Sequence, residues 1–156
     1  MENWVIANSI ISEAKSQGYY LRRLKLQKLL YFVCGEFAAE HNKWLLDESF
    51  CAYPYGPIDK KLYKLGDKWG DDFIEGFLKK EMVLSRIGSP DIYWSIRKVL
   101  RKYITHTDFT LSYLTHAEGT PWDTQWKKKP YGEISEDEIY EYFKSKYKED
   151  LVTLQK

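Results

Sequence analysis

Cysteine is scarce in this 156-residue chain: Cys34 and Cys51 are too few for a disulfide framework, which suits a reducing, cytoplasmic setting. The two cysteines and His41, His106 and His116 show no CxxC or HxxxH spacing, so no metal is expected. Phosphate-cradling loops of the GxxxxGK[ST] or GxGxxG kind are absent, which removes the common nucleotide enzymes, and no cofactor is expected. No run approaches the ~20 apolar residues of a membrane span, and the opening Met-Glu-Asn-Trp is not a basic segment leading into an apolar one. The expectation is a protein neither membrane-bound nor secreted. Charge of one sign is also missing: 24 Lys plus Arg face 23 Asp plus Glu, a net +1 that argues against nucleic acid as a partner.

What the chain does have is aromatic side chains. Six Trp, thirteen Tyr and seven Phe make up 17 % of it, more than one small core readily hides. Tyr and Trp bury much area while keeping a polar handle, so a surplus points to a protein-contacting surface; an aromatic-rich core is the other place they can go.

Periodicity predicts mostly helix. Ala7, Ile10, Ile11 and Ala14 mark a first helix over about 2–17, stopped by Gly18. Leu26, Leu29, Leu30, Val33 and Phe37 form the stripe of a central core helix over about 21–41, with Arg22, Lys25 and Lys28 on another side. An interior glycine costs about 1 kcal/mol unless something packs against it, so Gly35 predicts a close neighbour. Phe50, Ala52 and Tyr53 read as an extended run into the non-helical turn Pro54-Tyr55-Gly56-Pro57. Pro57 then suits the first position of a short helix over 57–65. One weak helix near 71–80 follows, then a helix opened by Ser89-Pro90-Asp91 and ending near Tyr103. Asp108 is placed to cap a helix over 109–117, broken by Gly119-Thr120-Pro121 before a last turn at 122–126. Ser135 and Glu138 form a capping box for a final helix to about Tyr147, beyond which the last nine residues should fray.

Candidate chemistry is thin. Cys34 and His41 share a helix face but lie about 10 Å apart along its axis, too far for a nucleophile and its base. Glu36 and Glu40 stand one turn apart, as ion-paired surface carboxylates do. No catalytic residue is assigned. A small enzyme would have to work from Gln27, Tyr31, Tyr55 and His116, and a nucleic-acid regulator from Arg22, Arg23, Lys25 and Lys28, with Lys127–Lys129 as a second basic group.

Three blocks carry a resemblance: Lys25-Leu26-Gln27-Lys28-Leu29-Leu30-Tyr31-Phe32, then Phe50-Cys51-Ala52-Tyr53-Pro54-Tyr55-Gly56-Pro57, then Leu111-Ser112-Tyr113-Leu114-Thr115-His116-Ala117-Glu118-Gly119-Thr120-Pro121-Trp122. In this order they resemble the Panacea domain, a family that includes SocA-like antitoxins and phage-associated proteins. The resemblance implies an antitoxin of a toxin–antitoxin system, neutralising a cognate protein toxin by direct binding. It singles out Lys25, Gln27, Lys28, Tyr31, Tyr53, Tyr55, Thr115, His116 and Trp122 as partner-binding positions, with Gly56, Pro57 and Pro121 as structural ones. Lys25, Lys28 and Tyr31 are expected to share one accessible face. His116, near a helix end, can also satisfy a backbone carbonyl. Tyr53 stands where Trp is expected, Cys34 where Gln is frequent, and Trp44 near a common Pro.

The expected fold is therefore mainly α, a compact single-domain helical fold with a short extended or β element near residues 49–55. Residues 1–130 would form the Panacea-like helical domain, and 131–156 a C-terminal helix and tail packed on it or extending it. A homo-oligomer is left open.

Overall fold

The computed structural model describes residues 2–155. Among these residues seven helices and a small antiparallel hairpin make the fold mainly α. In chain order they are α1 (Asn3–Ser16), α2 (Arg23–His41), β1 (Cys51–Tyr53), β2 (Gly56–Ile58), α3 (Lys60–Leu65), α4 (Pro90–Tyr103), α5 (Asp108–His116), α6 (Pro121–Lys128) and α7 (Glu136–Gln155), with a 3-10 turn at Asp67–Trp69. The hairpin packs against α2, α5 and α6.

Helix α2 is the axis of the molecule. It packs against α1, α4, α5, α7 and β2. Burial therefore runs unbroken from Leu26 to Gly35, all round the helix rather than along one stripe. The expected close neighbour of Gly35 is the Phe143 ring of α7, which occupies the space a Cβ would need. Phe143 also meets Tyr31 and Phe32 edge-on, at centroid separations of 5.6 and 6.0 Å, so the C-terminal helix completes the aromatic core.

Several elements differ from the sequence expectation. Pro57 lies in β2 opposite Ala52 rather than opening a helix. Ala52 turns its N–H and C=O the other way, to the Gly132 carbonyl and the Tyr131 N–H, so the donor that proline lacks is not needed there. Helix α3 instead starts after Asp59, whose carboxylate caps the Leu62 N–H. No helix forms over 71–80. Gly70, at φ +56°, interrupts the chain, and the buried Asn8 of α1 claims the following backbone. Its amide nitrogen donates to the carbonyls of Leu78, Lys80 and Met82, and its oxygen accepts from the Leu78 N–H. Thr107, not Asp108, caps α5, and Pro121 sits inside the first turn of α6 behind a Thr120 cap. Ser135 caps Glu138 as the capping box predicts, but α7 continues to Gln155, well past Tyr147. The tail expected to fray is helical within the described residues; residue 156 lies outside them.

Candidate functional site

The three sequence blocks converge on the hairpin. Its turn, Tyr53-Pro54-Tyr55-Gly56, leaves backbone carbonyls that no ladder can satisfy, and neighbouring elements supply the missing donors. Trp122 Nε1 of α6 donates to the Tyr53 carbonyl at 2.6 Å, and Ser112 Oγ of α5 to the Tyr55 carbonyl at 2.5 Å. Lys28 Nζ of α2 donates to the Pro57 carbonyl at 2.9 Å. Gln27, also on α2, grips Asp59 from both sides: its amide nitrogen donates to the Asp59 carbonyl at 3.1 Å and its oxygen accepts from the Asp59 N–H at 2.8 Å. Alternate residues of one extended segment are thus each held by a side chain from a motif block.

Gly56 is needed beneath this clamp for two reasons. Its φ of +119° is a region side chains avoid, and a Cβ there would lie 2.7 Å from Thr115 Oγ1 and 3.0 Å from Lys28 Nζ. Thr115 Oγ1 donates to the Ser112 carbonyl. His116 places Nδ1 on that same Ser112 carbonyl, as expected for a histidine at a helix end.

Burial decides the electrostatics. Lys28 is fully enclosed and has no carboxylate partner among the described residues, and desolvation alone pushes its amine down to about 7. Tyr31 is 2 % exposed, its hydroxyl has no hydrogen-bond partner among the described residues, and burial pushes its pKa up. Asp59 is raised chiefly by burial, against the hydrogen bonds from Leu62 and Asn3 that favour its charged form.

The shared accessible face expected of Lys25, Lys28 and Tyr31 does not exist in this structure. Because α2 is wrapped on every side, Lys28 and Tyr31 are interior, and Lys25 Nζ donates to the carbonyls of Ile104 and His106 at the end of α4. Arg23 is likewise occupied with Asp67, the Gly70 and Tyr63 carbonyls and the Tyr63 ring, and Arg22 lies over Phe73. The start of α2 is therefore not a cooperating cationic face. Gln27, Tyr31, Tyr55 and His116 do not form one cluster either: no hydrogen bond joins any two of them. A groove of about 540 Å³ beside Trp4, Leu62 and Leu65 is lined by none of the four. Among the described residues no set of three His, Cys, Asp or Glu side chains could hold a metal ion, and no helix is long and apolar enough to cross a membrane.

What remains accessible over the clamp is aromatic. Ring contacts run from Tyr53 to Tyr131 (5.2 Å), Trp126 (5.8 Å), Trp122 (5.2 Å, stacked), His116 (5.3 Å) and Tyr113 (6.4 Å). Tyr113 and Tyr131 are 58 % and 56 % exposed, and Tyr55 at the hairpin tip is 69 % exposed. Trp122 is buried as the anchor of this row rather than offered by it. Sequence reasoning missed Ser112, Asp59, Tyr113, Trp126 and Tyr131 as site residues. Ser112 and Thr115 stand three apart on one helix face, and Asp59 precedes an apolar helix as caps do, so those two carried a signal; the ring row carried none, because its members come from separate segments.

Residues 26–123 match the family described as antitoxin SocA-like, Panacea domain. Over 125 residues the chain is 31 % identical to antitoxin SocA of Caulobacter vibrioides (strain NA1000 / CB15N), an alignment covering 76 % of this chain and 66 % of that protein. The chain thus spans just under two thirds of that curated relative's length. No solved structure matches the chain.

Proposed function

The chain belongs to the antitoxin SocA-like, Panacea domain family, and on that premise we propose that it neutralises a cognate protein toxin in the cytoplasm by binding it directly through the aromatic row. The observation that carries this reading is the continuity of Tyr53, Tyr131, Trp126, Trp122, His116 and Tyr113, four of them half-buried or buried and two, Tyr113 and Tyr131, exposed. Protein interfaces are centred on such rigid, amphipathic rings, with a polar rim that here includes Lys128, Lys129 and Glu118. In this reading the motif residues fall into two groups. Tyr53, Tyr55 and His116 belong to the contact surface, while Lys25, Gln27, Lys28, Tyr31, Thr115 and Trp122 act on the partner by holding that surface in shape. Residues 1–130 form the family's domain, with the C-terminal helix packed into its core.

The test is rescue of a cell expressing the toxin encoded beside this gene, combined with co-purification of the two proteins. Tyr131→Ala and Tyr113→Ala are expected to lose both while retaining the wild-type circular dichroism spectrum. Normal rescue and co-purification by both variants and by Tyr55→Ala would remove the aromatic row as the contact surface.

A further inference from the structure

Resting on the antitoxin reading above, we propose that Tyr131 is the anchor of the toxin contact. Its ring enters an apolar pocket of the partner that has a hydrogen-bond acceptor at its far end, and the fold presents it there against backbone strain.

The tripeptide Pro-Tyr-Gly occurs twice, at 54–56 and at 130–132, and the backbone treats the two copies differently. In the hairpin turn the glycine takes the positive φ, with Gly56 at +119°, and Tyr55 keeps an ordinary conformation. In the second copy the assignment is reversed: Tyr131 stands at φ +66° and Gly132 has no positive φ. The other two non-glycine residues with positive φ among those described have local reasons for it. Asn42 ends α2, a position that asparagine readily fills, and Lys79 lies between the Leu78 and Lys80 carbonyls that Asn8 holds. A bulky aromatic residue in this region is an outlier.

The turn itself shows how the strain is kept. Gly132 N–H donates to the Lys129 carbonyl at 3.1 Å, closing a four-residue turn with Pro130 second and Tyr131 third. Proline second and positive φ third define a type II turn, whose third position calls for glycine or asparagine. The chain cannot shift to bring its glycine there. Tyr131 N–H donates to the Ala52 carbonyl at 2.8 Å and Ala52 N–H to the Gly132 carbonyl at 2.9 Å, which fixes the register against β1. A Cβ at Gly132 would run into Gln125, whose Nε2 donates to the Lys129 carbonyl at 3.2 Å.

Within the chain the ring returns little. It meets Tyr53 edge-on at 5.2 Å and Trp126 at 5.8 Å, it is 56 % exposed, and its hydroxyl makes no hydrogen bond among the described residues. Strained backbone persists where the surroundings over-determine it, and it gathers at ligand clamps and active sites. A ring on a fixed backbone loses little freedom on docking, and a phenol joins an apolar body to a polar tip, which sets the chemistry of the pocket. Tyr113, the other exposed ring of the row, sits on the regular helix α5, so the strain singles out Tyr131.

Calorimetric titration with the toxin encoded beside this gene, on wild type, Tyr131→Phe, Tyr131→Ala and Tyr131→Gly, is read together with thermal melts of the same four proteins. Tyr131→Ala and Tyr131→Gly are expected to weaken binding at least about thirtyfold, the size of an interface anchor, and Tyr131→Phe about 5–10-fold, the size of one hydrogen bond. Tyr131→Ala and Tyr131→Gly both lack the ring, so the difference between their melts reports the backbone. Tyr131→Gly is expected to melt about 2–4 °C above Tyr131→Ala. Loss of binding in Tyr131→Gly then falls on a chain whose turn has been relieved. Binding by Tyr131→Gly within about threefold of wild type, a midpoint for it below that of Tyr131→Ala, or undiminished binding by Tyr131→Phe would each overturn the proposal. If Tyr113→Ala loses binding while Tyr131→Gly keeps it, the row stands and the anchor falls; a wild-type chain that does not bind the toxin overturns the antitoxin reading as well. Sedimentation velocity of the chain alone is expected to show no association that depends on Tyr131; copies that associate in wild type and separate in Tyr131→Ala would place the pocket on a second copy and overturn the proposal.

Discussion

Lys28 Nζ and the Pro57 carbonyl, 2.9 Å apart and both closed off from solvent, join the middle of α2 to the second strand of the hairpin. A buried amine with one acceptor and no counter-charge is costly in its protonated form, and that cost gives the contact a pH signature. The folded-state pKa of about 7 lies below the unfolded value of 10.5. Between the two, the unfolded chain binds a proton that the folded chain does not, so stability rises with pH.

Urea denaturation at pH 7 and pH 8.5 should therefore show wild type gaining up to about 2 kcal/mol relative to Lys28→Met across that interval, at about 1.4 kcal/mol per pH unit for one proton. Cys34 and Tyr31, both raised by burial, act with the opposite sign as pH climbs, but they are present in both proteins, so the difference between the two curves isolates Lys28. Parallel curves for the two proteins would show that Lys28 remains an ordinary ammonium in the fold.

Tyr31→Phe should leave stability unchanged or raise it by about 1 kcal/mol, because the hydroxyl it removes is buried without a partner among the described residues. Tyr31→Ala should cost about 3–5 kcal/mol, since the ring packs edge-on against Phe50 and Phe143. A drop of more than about 1 kcal/mol in the phenylalanine variant would reveal a hydrogen bond to that hydroxyl.

Gly56 and Gly119 both have positive φ, +119° and +85°, but only Gly56 is crowded. Gly119→Ala should cost about 1 kcal/mol from backbone conformation alone, and Gly56→Ala about 2–4 kcal/mol, because Thr115 and Lys28 must also move. Thermal melts of the two variants give the comparison; equal shifts would mean the hairpin adjusts freely.

Phe143→Ala should destabilise the whole chain by about 3–5 kcal/mol in a single transition, although Phe143 lies beyond the family match at residues 26–123. A separate early transition confined to α7 would show the last helix to be an appendage.

With Arg23, Lys25 and Lys28 bound to internal acceptors, no sequence-selective shift of DNA from the gene's own promoter is expected at about 150 mM salt. A tight, selective shift in that assay would return the basic residues of α2 to consideration.

The sequence alone determined most of the helical order, because most of the helices carry a local apolar period and several carry their own cap. Caps such as Thr120 and Ser135 and the unusual glycine inside α2 are local signals, and the glycine even called for a neighbour that Phe143 supplies. Tertiary structure decided where Lys28 and Tyr31 go. A period of 3.6 separates the faces of a helix only when one face is solvated, and α2 is enclosed on all sides, so a lysine that reads as surface finds its acceptor on a strand 29 residues away. The absent helix over 71–80 has the same origin: Asn8, more than 60 residues upstream, offers that backbone better-placed partners than its own neighbours do. The row of rings likewise exists only after folding, because β1, α5, α6 and the segment after α6 each contribute a part, and no local pattern records how such segments meet.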